Sequence, residues 1–149
     1  MIRTGLAVVV VAVFVTSTIA QTDVVKERNA LMYAMDEEGY GPLTKMVRGE
    51  DAYDQAKVDA AFARFAENAG KLPALWPAGS QGTAEGSDHH SSAKVWENKS
   101  DFDARLAKLA KDVADNRAKA TNLENLKIAF QPVKDDCAGY HEIYRVRNR

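Results

Sequence analysis

Cysteine is almost absent from this sequence, since Cys137 is the only one among its 149 residues. The chain therefore has no internal disulfide framework, and the lone cysteine directs attention to a cofactor as its partner. Neither sign of charge is in excess, because 20 Lys and Arg stand against 21 Asp and Glu, for a net charge of −1. This balance excludes the strong positive field that attracts nucleic acids or anionic membranes.

Signatures of catalysis are also missing. The chain has no nucleophile–base motif and no Gly-rich phosphate loop. Its carboxylates lie among lysines, without the Glu-x-x-His pattern of di-iron helical bundles. His89 and His90 follow Asp88 in a Ser/Gly-rich segment, but no cysteine or third histidine is near them in the sequence. We therefore expect no specific metal site there and no enzymatic activity.

The first twenty residues differ from the rest of the chain. Arg3 is their only charge, an apolar run extends from Leu6 to Val15, and small residues follow up to Ala20. This order is typical of a secretory signal peptide, so we predict cleavage after Ala20 and a periplasmic protein. The alternative is an uncleaved membrane anchor, although the apolar run is shorter than the roughly 17–25 residues of a spanning helix. The remaining residues, 21–149, have the length of one domain.

The rest of the chain has the composition and the periodicity of helices, because apolar residues recur every three or four positions. Two amphipathic helices are predicted over about residues 22–47 and 52–69, a third from Ser100 and a fourth from about Asn122. Four such helices in one small domain favour an all-α fold, an antiparallel up-down-up-down four-helix bundle. The short link before the fourth helix makes the last two helices antiparallel neighbours.

Glycine and proline predict where these helices bend or end. Gly39, Gly41 and Pro42 indicate a kink or a break in the first helix. Gly70 is the predicted end of the second helix. Pro132 lies inside the fourth helix, where it should bend the helix or restart it just upstream of Cys137.

A long connection over residues 71–98 is rich in Gly, Pro and Ser and is predicted to be a loop. Trp76 and Trp96 lie near its two ends, and their burial should attach the loop to the bundle. Ser100 and Asp103 then resemble a capping box, with Asp in the position usually held by Glu.

The segment Cys137-Ala138-Gly139-Tyr140-His141 differs by one residue from the Cys-x-x-Cys-His motif of covalent haem attachment. In that motif two thiols bond to the haem vinyl groups and the histidine binds the iron. Cys137 and His141 are four residues apart, so on a helix they share one face. A Cys-x-x-x-His pair also arises by chance, and the alternative is a buried cysteine near a partly exposed histidine.

The surroundings of the motif resemble class II c-type cytochromes, the cytochrome c′ family. In that family Tyr-Arg follows the motif after two residues, as Tyr144-Arg145 does here. Other segments resemble the same family: Gly41-Pro42-Leu43, Met46-Val47, Leu72 to Ser80, and Val95 to Asn98 followed by Phe102. The resemblance covers all of residues 21–149. It implies a four-helix bundle that binds haem c.

The resemblance also implies roles for single residues. His141 corresponds to the proximal iron ligand. Arg28 corresponds to an arginine in the first helix of the family, and Met32, four residues later, lies at the distal position. A methionine there favours His/Met ligation, and the alternative is a core methionine that fills a gap. Arg28 and Arg145 are candidate partners of the haem propionates, or else solvated surface arginines.

Tyr140 occupies the position of the second cysteine and cannot form a thioether. Three alternatives follow. Haem is held by one thioether through Cys137, or it is bound without a covalent bond, or it is absent and apolar side chains fill its pocket. The leading prediction is a periplasmic haem protein that transfers single electrons to and from other redox proteins. The alternatives are a five-coordinate protein that binds nitric oxide or carbon monoxide, and a haem-free bundle with a binding or structural role. Homodimers are common in the family, and no membrane contact is expected after signal cleavage.

Overall fold

The computed structural model describes residues 14–148, and side chains from Asp23 onward. The predicted signal peptide lies mostly outside the described residues, so its cleavage after Ala20 stays a prediction. The elements are α1 (Phe14–Met35), a π-helical segment (Asp36–Tyr40), α2 (Gly41–Arg48), α3 (Gln55–Lys71), a 3₁₀ turn (Leu72–Leu75), β1 (His89–Ser91), α4 (Lys94–Glu97), α5 (Lys99–Arg117), α6 (Leu123–Tyr144) and β2 (Arg145–Arg147). Four main helices form the bundle, as predicted, with α1 continuing through the π segment into α2.

None of the described helices carries an apolar stretch long enough to cross a membrane.

The irregularity predicted at Gly39, Gly41 and Pro42 is confirmed as a π-helical turn between α1 and α2. The Gly41 N–H donates to the carbonyl of Asp36, five residues earlier, which is the hydrogen bond of a π-helix. Gly39 is required there, because a Cβ at this position would lie only 2.8 Å from the ring of Phe65. Pro42 stands in the first turn of α2, where its missing N–H costs nothing.

Helix α3 begins at Gln55 and is capped by Asp54, whose Oδ1 accepts a hydrogen bond from the Lys57 N–H at 3.1 Å. The predicted end at Gly70 is wrong, since the helix continues to Lys71 and then tightens into the 3₁₀ turn. Gly70 keeps a negative φ, and burial of Leu72 in the core holds the following turn against the bundle.

The start of α5 also differs from the prediction. The helix begins at Lys99, with Asn98 as its N-cap residue and no side-chain cap. Ser100 is therefore already inside the helix. Asp103 does not complete a capping box, because it accepts from the ammonium of Lys99 at 2.5 Å instead.

Helix α6 begins as predicted, since the Asn122 side chain caps it by accepting from the Asn125 N–H at 2.9 Å. The restart predicted at Pro132 is wrong, because α6 is unbroken from Leu123 to Tyr144. A proline costs a helix one hydrogen bond, but buried side chains on both sides of it, Phe130 and Val133, hold this segment against the core.

The core is strongly aromatic. Phe65 lies at its centre, with its ring centroid 6.4 Å from that of Phe62 and 6.2 Å from that of Phe130. The tryptophans attach the long connection to the bundle, as predicted: Trp76 is buried with its ring centroid 4.8 Å from that of Phe102 on α5, and Trp96 packs against the core. Their Nε1 atoms close the connection on itself, since Trp76 donates to Ser91 Oγ at 3.0 Å and Trp96 to the Pro77 carbonyl at 2.9 Å. The connection is not all loop, because it contains β1, which pairs antiparallel with β2.

Candidate functional site

A cavity of about 1070 Å³ opens between α1, the π segment, α6 and the strand β1. It is as large as the largest usual ligand pockets, which span about 300–1,000 Å³. All five side chains that the sequence predicts to bind haem line it: Arg28, Met32, Cys137, His141 and Arg145. The fold therefore brings together residues that lie more than 100 positions apart in the chain.

Cys137 and His141 reach the cavity from the same face of α6, one turn apart. Burial raises the pKa of the Cys137 thiol to about 11, with smaller contributions from the carboxylates of Asp136 and Asp36. Burial, with smaller contributions from the charges of Arg145 and His89, lowers the pKa of His141 to about 4. At neutral pH the cavity thus presents a thiol and a neutral imidazole, and a neutral imidazole is the form that binds a metal.

Tyr140 packs beside His141 without filling the cavity. Its ring centroid lies 5.3 Å from Phe102, 5.6 Å from His141 and 5.7 Å from Tyr144. Burial raises the pKa of Tyr140 far above its ordinary value, against the opposing effect of Arg28. The side chain is therefore a neutral phenol, whereas a tyrosine that ligates iron does so as a phenolate.

Met32 reaches the cavity from a different helix, α1. Its side chain is half-buried, packs against the core and lines the cavity. A methionine sulfur and a histidine nitrogen thus lie on two different helices around one space. Whether Met32 binds iron or only fills the wall is the question that the sequence left open.

Arg28 is not a solvated surface arginine, because only 5% of it is exposed. Its guanidinium donates to the carbonyls of Ser80 at 2.5 Å and Leu75 at 3.3 Å. It also lies 5.5 Å from the ring centroid of Trp76 and 5.7 Å from that of Trp96. Burial lowers the pKa of Arg28, but a guanidinium remains charged. Arg28 therefore fixes the connection after α3 beside the cavity.

The C-terminal strand closes one side of the cavity, which the sequence did not predict. β2 pairs with β1 in the register His89 with Arg147, His90 with Val146 and Ser91 with Arg145. Both histidines of β1 line the cavity. Strands of three residues give no reliable period-2 signal, so the sequence had no means of showing this pairing.

Asn148, directly after β2, adds side-chain bonds to the same connection. Its Oδ1 lies 2.5 Å from Nδ1 of His90, and its Nδ2 donates to the Ser87 carbonyl at 2.7 Å. Within the described part of the chain, no group of three His, Cys, Asp or Glu side chains is arranged to hold a metal ion.

These side chains fit a haem. The cavity offers a thiol for one thioether, a neutral imidazole for the iron, a second sulfur from another helix and several aromatic rings in its lining. A cysteine and a histidine that lie one turn apart at such a cavity are typical of four-helix bundles that bind haem. The sequence profile described as Cytochrome C′ matches residues 23–145, and the chain belongs to this family. It is thus a non-enzymatic haem protein, as expected, of a family that binds haem c.

Named relatives and a solved structure agree with this assignment. The chain is 34% identical to cytochrome c-556 of Rhodopseudomonas palustris over 146 residues, which cover 97% of each chain. It is 35% identical to cytochrome c′ of the same organism over 129 residues, which cover 87% of this chain and 86% of the relative. The solved structure of cytochrome c′ from Rhodopseudomonas palustris superposes with a TM-score of 0.77 at 31% identity, covering 85% of this chain and 98% of that chain.

Proposed function

We propose that this protein is a periplasmic electron carrier, which holds one haem c and passes single electrons between other redox proteins. The observation that carries the proposal is the placement of His141 and Met32 at one cavity, on α6 and α1. Bound haem would supply the one-electron chemistry, through iron that alternates between its ferrous and ferric states. Histidine and methionine together raise the potential of haem iron and leave no open position for a substrate.

The side chains divide the task of holding the group. His141 would bind the iron through its neutral imidazole, and Met32 would supply a sulfur as the second protein ligand. Cys137 would form the only thioether, since Tyr140 lacks a thiol. Arg145 and Arg28 would face the propionates, although Arg28 already donates to two carbonyls of the chain.

Two alternatives follow from particular observations. Met32 packs against the core, and if it does no more than that, the iron is five-coordinate and open to nitric oxide or carbon monoxide. A haem-free bundle would need its pocket refilled by side chains, and the cavity of about 1070 Å³ beside Tyr140 argues against this. Export to the periplasm after cleavage at Ala20, redox protein partners and a homodimer belong to the proposal.

A pair of matched substitutions tests the ligation. Met32→Leu keeps the side-chain volume and removes only the sulfur, and such swaps usually cost less than about 1.5 kcal/mol of stability. We expect the wild-type protein, loaded with haem by a c-type maturation system, to have a low-spin absorption spectrum that becomes high-spin in Met32→Leu. Met46→Leu is the control, because Met46 is fully buried in the core and does not line the cavity. A low-spin spectrum that survives Met32→Leu would remove Met32 from the ligands, and a high-spin wild type would favour gas binding.

A further inference from the structure

We propose that Asp136 is a proton-binding site coupled to the electron of the haem, so that reduction takes up a proton at its Oδ2 and oxidation releases it. The inference rests on the proposed function, because it needs haem in the cavity. It adds a residue that neither the motif nor the family resemblance indicated.

The position of Asp136 is the first support. It precedes Cys137 on α6 and lines the same cavity. Only 10% of its side chain is exposed. Its Oδ1 accepts from the Lys108 ammonium at 2.5 Å, whereas Oδ2 is buried without a hydrogen-bond donor among the described residues. A buried charged oxygen without a donor is costly, and a proton on Oδ2 removes that cost.

The charge balance around Asp136 is the second support. Lys108 is shared, because its ammonium also contacts Oδ2 of Asp112 on α5 at 2.6 Å. Two carboxylates and one ammonium carry one excess negative charge. Asp36, on the π segment, adds a third carboxylate near the Cys137 thiol. The basic side chains that line the same cavity include Lys134 on α6 and Arg105 on α5.

The two carboxyls of this cluster respond differently to it. Burial is the main effect on Asp136 and raises its pKa from the ordinary value of an aspartate, although Lys108 opposes the shift. The Lys108 ammonium is the main effect on Asp112 and lowers its pKa. Asp136 is therefore the carboxyl of the pair that gains a proton first as the pH falls.

Asp136 is next to Cys137 in the chain and lines the same cavity, so haem bonded at Cys137 would be close to a carboxyl whose Oδ2 is already buried. Oxidised haem carries one more positive charge than reduced haem, and a nearby positive charge favours the carboxylate. On reduction, one electron arrives from a donor protein and one proton from water binds Oδ2. On oxidation both leave, and no other bond forms or breaks.

The test is the midpoint potential of the haem-loaded protein as a function of pH. Wild type should have a high, constant potential at low pH and a lower, constant potential at high pH, with one step between them. A tenfold difference in proton affinity between the two oxidation states makes this step 59 mV high. Asp136→Asn should abolish the step. Asp135→Asn is the matched control, since the exposed Asp135 bonds to Gln131 and should leave the step unchanged.

A second variant and a second readout guard against a misfolded mutant. Lys108→Gln removes the ammonium that favours the carboxylate, so the step should move to higher pH. In the haem-free chain the Asp136 charge raises the pKa of the Cys137 thiol. The pH profile of Cys137 alkylation by iodoacetamide should therefore shift to lower pH in Asp136→Asn and not in Asp135→Asn.

The outcomes separate the two proposals. A chain that binds no haem overturns the proposed function and the coupling with it. A haem-loaded Asp136→Asn protein that keeps the wild-type step overturns the coupling alone. An alkylation profile that does not respond to Asp136→Asn overturns the placement of this charge beside Cys137.

Discussion

Replacing Tyr140 by cysteine restores the second thiol of the attachment motif and at the same time removes a packed ring. In the haem-loaded protein we expect Tyr140→Cys to form two thioethers where the wild type forms one. In the haem-free chain the ring loses its contacts to Phe102, His141 and Tyr144. The two effects act on different states of the protein and are measured separately.

The loss of stability follows from the burial of the ring. Truncating a fully buried large aromatic side chain to alanine costs about 3–5 kcal/mol. Tyr140 is half-buried, and cysteine keeps the Cβ and adds a sulfur, so we expect the free energy of unfolding to fall by about 2–3 kcal/mol. Urea denaturation of the haem-free chain, followed by circular dichroism, gives this value.

The number of thioethers is read from the haem spectrum of the denatured protein, which shifts with the number of unreacted vinyl groups. Tyr140→Phe is the control, because it keeps the ring and adds no thiol. It should match the wild type in thioether number and nearly match it in stability. If Tyr140→Cys is as stable as the wild type, the ring does not pack as described. If it forms no second thioether, the residue at this position is not what limits attachment.

Two substitutions, Phe130→Ala and Asn68→Ala, test the packing of the bundle, and a third serves as a control. Phe130→Ala removes a fully buried core ring and should lower the free energy of unfolding by about 3–5 kcal/mol. The control is Ile128→Ala, at a side chain that is 73% exposed, which should change that free energy by less than about 0.5 kcal/mol. Equal effects in urea denaturation would contradict the assigned core. Asn68→Ala removes a buried amide that donates to the Leu31 carbonyl at 3.0 Å and should cost about 1–3 kcal/mol. Because Leu31 precedes Met32, the same change should raise the high-spin fraction of the loaded protein, and a wild-type spectrum would show that this bond does not position Met32.

Most of the helical framework could be predicted from the sequence, because the spacing of apolar residues is a local property. A kink or a break at Gly39, Gly41 and Pro42 was predicted in the same way, whereas its π-helical form was not. Predictions from the local preferences of glycine and proline were wrong where burial of neighbouring side chains outweighed those preferences. Gly70 did not end α3 and Pro132 did not interrupt α6, because the side chains that follow or surround them are held in the core.

The only site residues that could be predicted from the sequence are those expected to bind the same cofactor. The attachment motif and the family resemblance named Cys137, His141 and Met32, and the fold places them at one cavity. The buried Arg28 was named, but not its bonds to the connection after α3. Asp136 was not singled out, because it is buried where α6 meets a lysine from another helix, and no sequence period indicates such a contact.

The most direct test of the central claim is the intact mass of the purified protein under denaturing conditions, combined with its absorption spectrum. The protein should be produced in a host with a c-type maturation system. One haem held by one thioether predicts the mass of residues 21–149 plus one haem, with a Soret band that stays with the protein after acid–organic extraction. The mass of the bare polypeptide without a Soret band would contradict a haem protein of either kind.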